Sequence, residues 1–451
     1  MEKVKPALLK GFDQEFLPAE QLQFNALVER IRRSFELFGY LPIETPSAER
    51  KEVLTAKGGM EKEIYAITRL AGDPEDTDAS RGALHFDLTV PLARYVAMRE
   101  HQLAFPFRRY QIQRVWRGEN PQAAKGRFRE FYQCDIDIIG KNELGALAEA
   151  EIPSVIYRVF AELEIGPFRI RLNNRKLLQG LLQHFEVSKG AAPEVFRILD
   201  KAEKEDPSKI RSDLRAQGLS ESVSMQILKI VSEKASTDMV LEALKPYEAK
   251  NESLAQGLKE LRELVRAVRM FEVPDSAFGL DLGVIRGLDY YTGTIYETTL
   301  LEHPELGSIC SGGRYDDLAS YFTNTRLPGV GISIGLSRLF SRLKDANLLK
   351  PLQKTPAEVL VTVLEKQHVD QYIRIANELR KAGINTELYL EDKALGKQLE
   401  YASKKGFRLA VIAGGSELAR GAVQLKNLGT KSQDEVNLGA LVKAAREALS
   451  K

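Results

Sequence analysis

Cysteine is nearly absent from this chain: Cys134 and Cys310 are the only two in 451 residues. A disulfide framework and a Cys-rich zinc site are therefore both excluded. Long apolar runs are missing as well. No stretch approaches the roughly 18 apolar residues that a membrane-spanning helix needs, so no membrane partner is expected. The opening segment MEKVKPALLKGFDQEF has no apolar core followed by small residues, is poor in Arg and Ser, and carries acids. It predicts neither a secretory signal nor a transit peptide.

An excess of one charge sign is lacking too. Lys and Arg number 65 against 63 Asp and Glu, a net of +2. That excludes the global basic field of a small nucleic-acid binder while leaving local basic surfaces possible. The histidines, His85, His101, His184, His303 and His368, show no ligand-like spacing. No Ser or Cys sits in a nucleophile-elbow context, and Walker A and kinase signatures are missing. These absences argue against a metalloenzyme, a covalent hydrolase and a P-loop enzyme, and no metal bound by protein ligands is expected. The 43% hydrophobic content rules out disorder as the main state, and the length suggests two or three domains. A soluble, cytoplasmic protein is the expectation.

From Glu20 to Phe38 the apolar residues Leu22, Leu27, Ile31 and Phe35 recur at helical spacing, and Gly39 ends the run. The prolines of Tyr40 to Pro46 predict an extended segment. Residues 105–140 read as a long hairpin whose arms alternate around a turn-rich loop from Gly118 to Gly126. Residues 180–270 carry helical patterns rich in Lys and Glu and predict a helical insertion. Strand signals return at Phe278–Asp281, Thr294–Leu301 and Val330–Ile334, followed by a helix from Leu336 to Leu349. Residues 350–356, with two prolines among polar residues, read as a linker between a domain at 1–349 and another at 357–451. The second alternates strands and helices: Val359–Leu364, Val369–Ala382, Thr386–Leu390, Leu395–Lys404, Leu409–Ile412, Ala422–Lys426 and Leu438–Leu449. That pattern predicts an independent α/β domain.

Four segments carry the chemistry. On the second hairpin arm the strand period of two puts Phe131, Gln133, Asp135 and Asp137 on one face. Tyr132, Cys134, Ile136 and Ile138 fall on the other and are expected in a core. Gln111, Gln113, Val115 and Arg117 share a face of the first arm, and Glu119, Lys125, Arg127 and Arg129 follow around the loop. So many charges on one sheet face are costly unless the face is solvated or binds a charged ligand. Both readings stay open on the hairpin alone. In the second segment Gly329, Gly331, Ser333 and Gly335 alternate with Val330, Ile332 and Ile334, which asks for close approach of a flat ligand or another backbone. Arg338 follows, able to stack on a ring or contact a phosphate. The third, Ile285 to Glu297, sets Arg286 beside Tyr290 and Tyr291, suited either to an anion-binding pocket or to a tight turn with core tyrosines. In the fourth, His85-Phe86-Asp87-Leu88-Thr89, Asp87 and Thr89 would share a strand face, a pair that alone suits either a capping or turn motif or a ligand site.

Together these segments resemble the class II aminoacyl-tRNA synthetases, and within them the histidyl-tRNA synthetase family. Gly39 to Pro46 is similar to the first class-defining motif, at a dimer interface; Arg114–Ile139 to the second; Gly329–Leu339 to the third. Arg286 to Thr294 and Ser311 to Asp316 resemble blocks specific to the family, and the similarity covers nearly the whole chain. The resemblance implies an α+β catalytic domain with a mainly antiparallel sheet and a helical insertion, then a C-terminal α/β anticodon-binding domain. It implies an ATP-dependent ligase that joins L-histidine to tRNA-His through an adenylate, works as a homodimer, and uses Mg2+ on the ATP phosphates.

Residue by residue, the resemblance implies Arg117 and Arg286 as catalytic cations at the α-phosphate and Arg127 at the γ-phosphate. Glu119 would meet the adenine edge, and Arg338 would lie over the ring above a glycine-lined floor. Asp87, Thr89 and Gln133 would hold the α-ammonium of histidine, Leu88 would belong to the same histidine pocket, and Asp137, Tyr290 and Tyr291 would read the imidazole. One departure is notable: Ser337 stands where the third motif usually carries Glu before its Arg, which puts ATP handling in question. The alternative is a non-catalytic, histidine-sensing regulatory paralogue of ATP phosphoribosyltransferase. A paralogue of that kind would have lost the ATP-contacting arginines and the C-terminal domain, all present here. A pure RNA-binding module would not need the amino-acid pocket.

Overall fold

The computed structural model describes residues 3–56, 58, 61–71, 82–203, 205–285, 291–350, 352 and 354–450. The chain divides into two compact units, Met1–Gln14 with Leu27–Leu349, and Glu15–Ala26 with Lys350–Lys451. Among the described residues, no helix is long and apolar enough to cross a membrane.

Helix α1 (Pro18–Leu37) contributes its residues from Leu27 onward to the first unit, where Leu27, Ile31 and Phe35 are buried as their spacing requires. Strands β1 (Leu41–Pro42) and β2 (Ala48–Arg50), helix α2 (Lys51–Thr55), strand β3 (Gly82–Leu84) and helix α3 (Thr89–Arg99) follow. The hairpin forms as strands β4 (Phe107–Trp116) and β5 (Glu130–Ile139), paired antiparallel from Phe107 opposite Ile139 to Trp116 opposite Glu130. Helix α4 (Ala146–Leu163) and strand β6 (Phe168–Asn174) lead into the helical insertion. That insertion comprises α5 (Arg175–His184), α6 (Ala192–Leu199), α7 (Pro207–Ala216), α8 (Glu221–Val231), α9 (Thr237–Glu248) and α10 (Glu252–Met270). Val195, Phe196, Ile210, Leu214, Ile227 and Val231 form its core. Strands β7 (Phe278–Leu280), β8 (Thr294–Leu300), β9 (Ser308–Tyr315) and β10 (Gly329–Ile334) and helix α11 (Leu336–Asp345) complete the unit.

Eight of these strands form one sheet in the order β1-β4-β5-β10-β9-β8-β6-β7, antiparallel except at its two outer pairs. One face is apolar. Cys134, Ile136 and Ile138 are fully buried there, and α4, whose Ile152, Val155 and Ile156 are also fully buried, packs on β10 and β6. The opposite face carries the polar residues.

The second unit has a five-stranded sheet of β11 (Val359–Val361), β12 (Thr386–Leu388), β13 (Leu409–Ile412), β14 (Ala422–Asn427) and β15 (Gln433–Asn437), in the order β12-β11-β13-β14-β15. The first three are parallel and the last two antiparallel. Helices α12 (Val369–Lys381), α13 (Leu395–Lys405), α14 (Gly415–Ala419) and α15 (Leu441–Leu449) accompany it. The β11 and β13 valines pack with Tyr372, Ile375 and Leu379 in a common core.

Two sequence expectations need correction. Asp87 and Thr89 do not share a strand face: β3 ends at Leu84, and Thr89 is the first residue of α3. Strands β6, β9 and β15 are additions to the strands expected from sequence. Gly312, Gly313, Asp434 and Glu435 interrupt the hydrophobic alternation of β9 and β15, so neighbouring strands define those two, whereas in β6 Phe168, Ile170 and Leu172 alternate with Arg169 and Arg171, a strand signal present in the sequence itself.

Candidate active site

The site is built on four adjacent strands, β4, β5, β10 and β9, whose registers stack chemically complementary residues. Asp137 on β5 lies opposite Arg109 on β4 and Gly331 on β10. Two residues along, Asp135 lies opposite Gln111 and Ser333, and Ser333 opposite Ser311 on β9. All share the face away from the apolar core, because side chains alternate along a strand.

That face is not solvated. Arg109 is fully buried, and its Nη2 lies 2.6 Å from Asp137 Oδ2, while the Tyr315 hydroxyl donates to Asp137 Oδ1 at 2.6 Å. Burial pushes the Asp137 carboxyl up to about 6 although Arg109 pulls it down. Burial raises Asp135 to about 7, opposed by Arg109 and by the Ser333 hydroxyl. The same burial, beside Asp137 and Asp135, raises the Tyr291 hydroxyl, which keeps it a neutral donor.

Gly331 explains part of the small-residue alternation. A Cβ there would fall onto the Asp137 carboxylate and the Ile136 carbonyl. The close approach comes from a side chain and a backbone of the neighbouring strand, so at this position no flat ligand is required. Ser333 and Gly335, by contrast, line a cavity of about 520 Å³.

Asp87, Thr89, Gln133, Asp135 and Tyr291 line that cavity together with Arg117, Glu119, Arg127, Arg338 and Arg342. Register separates the two groups. Asp135 lies mid-strand, whereas Arg117 follows the last residue of β4, opposite the start of β5, with its guanidinium 5.2 Å from the Phe131 ring centroid. The Arg117 Nε donates to the Phe86 carbonyl at 2.9 Å, which aims the side chain. Arg338 is held by the Leu306 carbonyl at 3.2 Å, and Arg342 by the Ala124 carbonyl at 2.9 Å and the Glu305 carbonyl at 3.3 Å. Gly126 has φ +66°, and a Cβ there would come within 2.9 Å of Arg338 Cγ, so the hairpin loop closes directly on α11. Asp87 accepts from Val90 N at 3.1 Å, capping α3, and burial raises its carboxyl. Tyr291 is steadied from behind: Thr292 N donates to the Arg314 carbonyl at 2.8 Å, and Arg314 pairs with Glu149 at 2.6 Å and Asp316 at 3.0 Å.

Two expected site residues are not in the cavity wall. Leu88 is fully buried at the start of α3, and Asp137 lies behind the wall with Arg109 and Tyr315. Arg286 and Tyr290 lie outside the described residues. The structure adds Arg342, Arg109 and Tyr315, to which the sequence assigns no role, and gives individual places to Asp135 and Ser333, which the sequence sets only on a charged strand face and in the small-residue alternation. Extending the alternation of Gln111 and Gln113 back by one step reaches Arg109. Ser337 is fully buried, does not line the cavity, and accepts from the Tyr132 backbone N–H at 3.0 Å. Among the described residues, no group of three or more His, Cys, Asp or Glu is placed to hold a metal ion.

Residues 13–339 match the family model for histidyl-tRNA synthetase, and residues 358–448 match that for an anticodon binding domain. The chain belongs to the histidyl-tRNA synthetase family. A histidine–tRNA ligase of Stenotrophomonas maltophilia is 47% identical, covering 97% of each chain, and one of Clostridium tetani is 43% identical, covering 99% of each. The solved histidyl-tRNA synthetase of Nostoc sp. PCC 7120 superposes with a TM-score of 0.89 at 39% identity, covering 99% of this chain and 100% of that one. A Bacillus halodurans structure described as an ATP phosphoribosyltransferase regulatory subunit/histidyl-tRNA synthetase has a TM-score of 0.72 at 19% identity, covering 89% of this chain and 97% of that one. That second likeness shows the fold alone. The family resemblance and the fold class expected from sequence are therefore both borne out.

Proposed function

We propose that this histidyl-tRNA synthetase family member is an ATP-dependent histidine–tRNA ligase. A carboxylate oxygen of L-histidine attacks the α-phosphorus of ATP, and the bond to the β-phosphate oxygen breaks to release pyrophosphate. A terminal ribose hydroxyl of tRNA-His then attacks the adenylate carbonyl, and AMP leaves. The observation that carries this reading is one cavity lined by Gln133 and Asp135 mid-strand and Asp87 beside them, and by Arg117 and Arg127 of the hairpin with Arg338 and Arg342 of α11. A zwitterionic amino acid suits the first group and a triphosphate the second.

Arg117, with Arg286 as the resemblance implies, stabilises charge that grows at the α-phosphorus in the transition state. Arg127 takes the γ-phosphate, Glu119 the adenine edge and Arg338 the purine face. Asp87, Thr89 and Gln133 hold the α-ammonium. Tyr291, with Tyr290, reads the imidazole while Asp137, held by Arg109 and Tyr315, sets the charge behind them. ATP enters as its magnesium complex. The second unit serves the anticodon, where single-stranded bases can be splayed and stacked.

A cytoplasmic homodimer completes the reading. Leu37 and Leu41, beside the first motif, are 68% and 58% exposed and offer apolar contact. Histidine-dependent ATP–pyrophosphate exchange tests the chemistry. Exchange that needs histidine and vanishes in Arg117→Ala supports it. Histidine binding without exchange would favour the regulatory paralogue.

A further inference from the structure

Gln133, Asp135 and Asp137 succeed one another on one face of β5, yet their hydrogen bonding differs sharply. Asp137 has both oxygens engaged, by Arg109 and by the Tyr315 hydroxyl. Asp135 is only 3% exposed, lines the cavity, and has no hydrogen-bond partner on Oδ1. Gln133 is 8% exposed, spends its Nε2 on the Ser333 hydroxyl at 2.6 Å, and leaves Oε1 without a partner. Two buried, unsatisfied acceptors therefore stand two residues apart in one cavity wall. Buried polar atoms are normally paired, so such exceptions call for an explanation.

The geometry points to Asp135 as a further histidine-contacting residue, accepting with Gln133 Oε1 from the substrate's α-ammonium group. This rests on the reading of the cavity as a histidine and ATP site. An ammonium brings three N–H donors and one positive charge, which is what two orphan acceptors, one of them a carboxylate, lack. Arg109 acts on Asp135 only through its field: its ion pair is with Asp137, one row away, and it makes none with Asp135. An amino acid without the ammonium would leave a buried carboxylate oxygen unpaired and be rejected. Burial holds the Asp135 carboxyl high in the free protein, and an incoming cation would draw it back down.

The test is exchange kinetics and inhibitor binding for wild type, Asp135→Asn and Asp135→Ser. KM for histidine should rise about 10- to 100-fold in both variants, with KM for ATP changed less than about 3-fold. Histidinol keeps the ammonium, and 3-(imidazol-4-yl)propionate lacks it. Histidinol binding should weaken in the variants by a similar factor, and binding of the propionate should not. Unchanged histidine KM, or equal weakening of both inhibitors, would overturn the assignment. Wild-type protein that binds histidinol but supports no exchange would instead defeat the ligase reading and leave the ammonium contact standing.

Discussion

The Ser337 hydroxyl accepts a hydrogen bond from the Tyr132 backbone N–H at 3.0 Å, tying the second residue of α11 to β5 from a fully buried position. The departure from the usual Glu of the third motif is thus a packing substitution on the side of α11 away from the cavity. Ser337→Ala should lower stability by about 1–3 kcal/mol, because it strands a buried donor. KM for ATP should stay within about 2-fold of wild type. Ser337→Glu should be less stable than Ser337→Ala, since a carboxylate would be forced into a closed site. Urea unfolding of the two variants, beside ATP kinetics for Ser337→Ala, checks this.

Arg109 and Asp137 form the most deeply buried ion pair described at the site. Arg109→Met should destabilise by about 3–5 kcal/mol by leaving Asp137 uncompensated, and Arg109→Met with Asp137→Leu should recover much of that loss. Denaturant unfolding of the single and double variants measures the coupling. Equal stability of all three proteins would show the pair to be solvated.

Gly331→Ala should destabilise by about 1–3 kcal/mol through overpacking, because the new methyl group meets the Asp137 carboxylate and a strand carbonyl that cannot move cheaply. Gly335→Ala, whose nearest neighbour is Arg338 Cβ at 3.9 Å, should be near neutral for stability. Thermal unfolding separates the two.

The Asp135 carboxyl stands at about 7 in the folded protein against an ordinary 3.8. A raised carboxyl favours the protonated folded state, so its contribution is full below about pH 4 and lost as pH rises through about 7. Wild-type melting temperature should therefore fall relative to Asp135→Asn between about pH 4 and 7, and the difference should level off above that. Histidine binding favours the ionised form, so the thermal shift that histidine produces should grow over the same range. A flat difference between the two proteins across that range would contradict this.

Much of the site is legible in the sequence because strand alternation is a strong signal. Alternation alone places Phe131, Gln133, Asp135 and Asp137 on one face and Cys134, Ile136 and Ile138 in the core. What alternation cannot show is which carboxylate meets the cavity and which is already paired. That depends on registers with β4 and β10, set by contacts distant in sequence, and on Tyr315 reaching across from β9. Asp87-Leu88-Thr89 reads as a strand because an Asp cap and a short extended approach look alike locally. Strand β9 is hidden by its own glycines, which are small because Gly312 lies against the β10 backbone and Gly313 against Tyr291.

Ligase activity is tested most directly by charging tRNA-His with labelled histidine, using purified protein in the presence of magnesium and ATP. A histidyl ester should form on the tRNA, require ATP and be lost in Arg117→Ala. Histidine binding with no ester formed, under conditions where a histidine–tRNA ligase control charges the same tRNA, would contradict it.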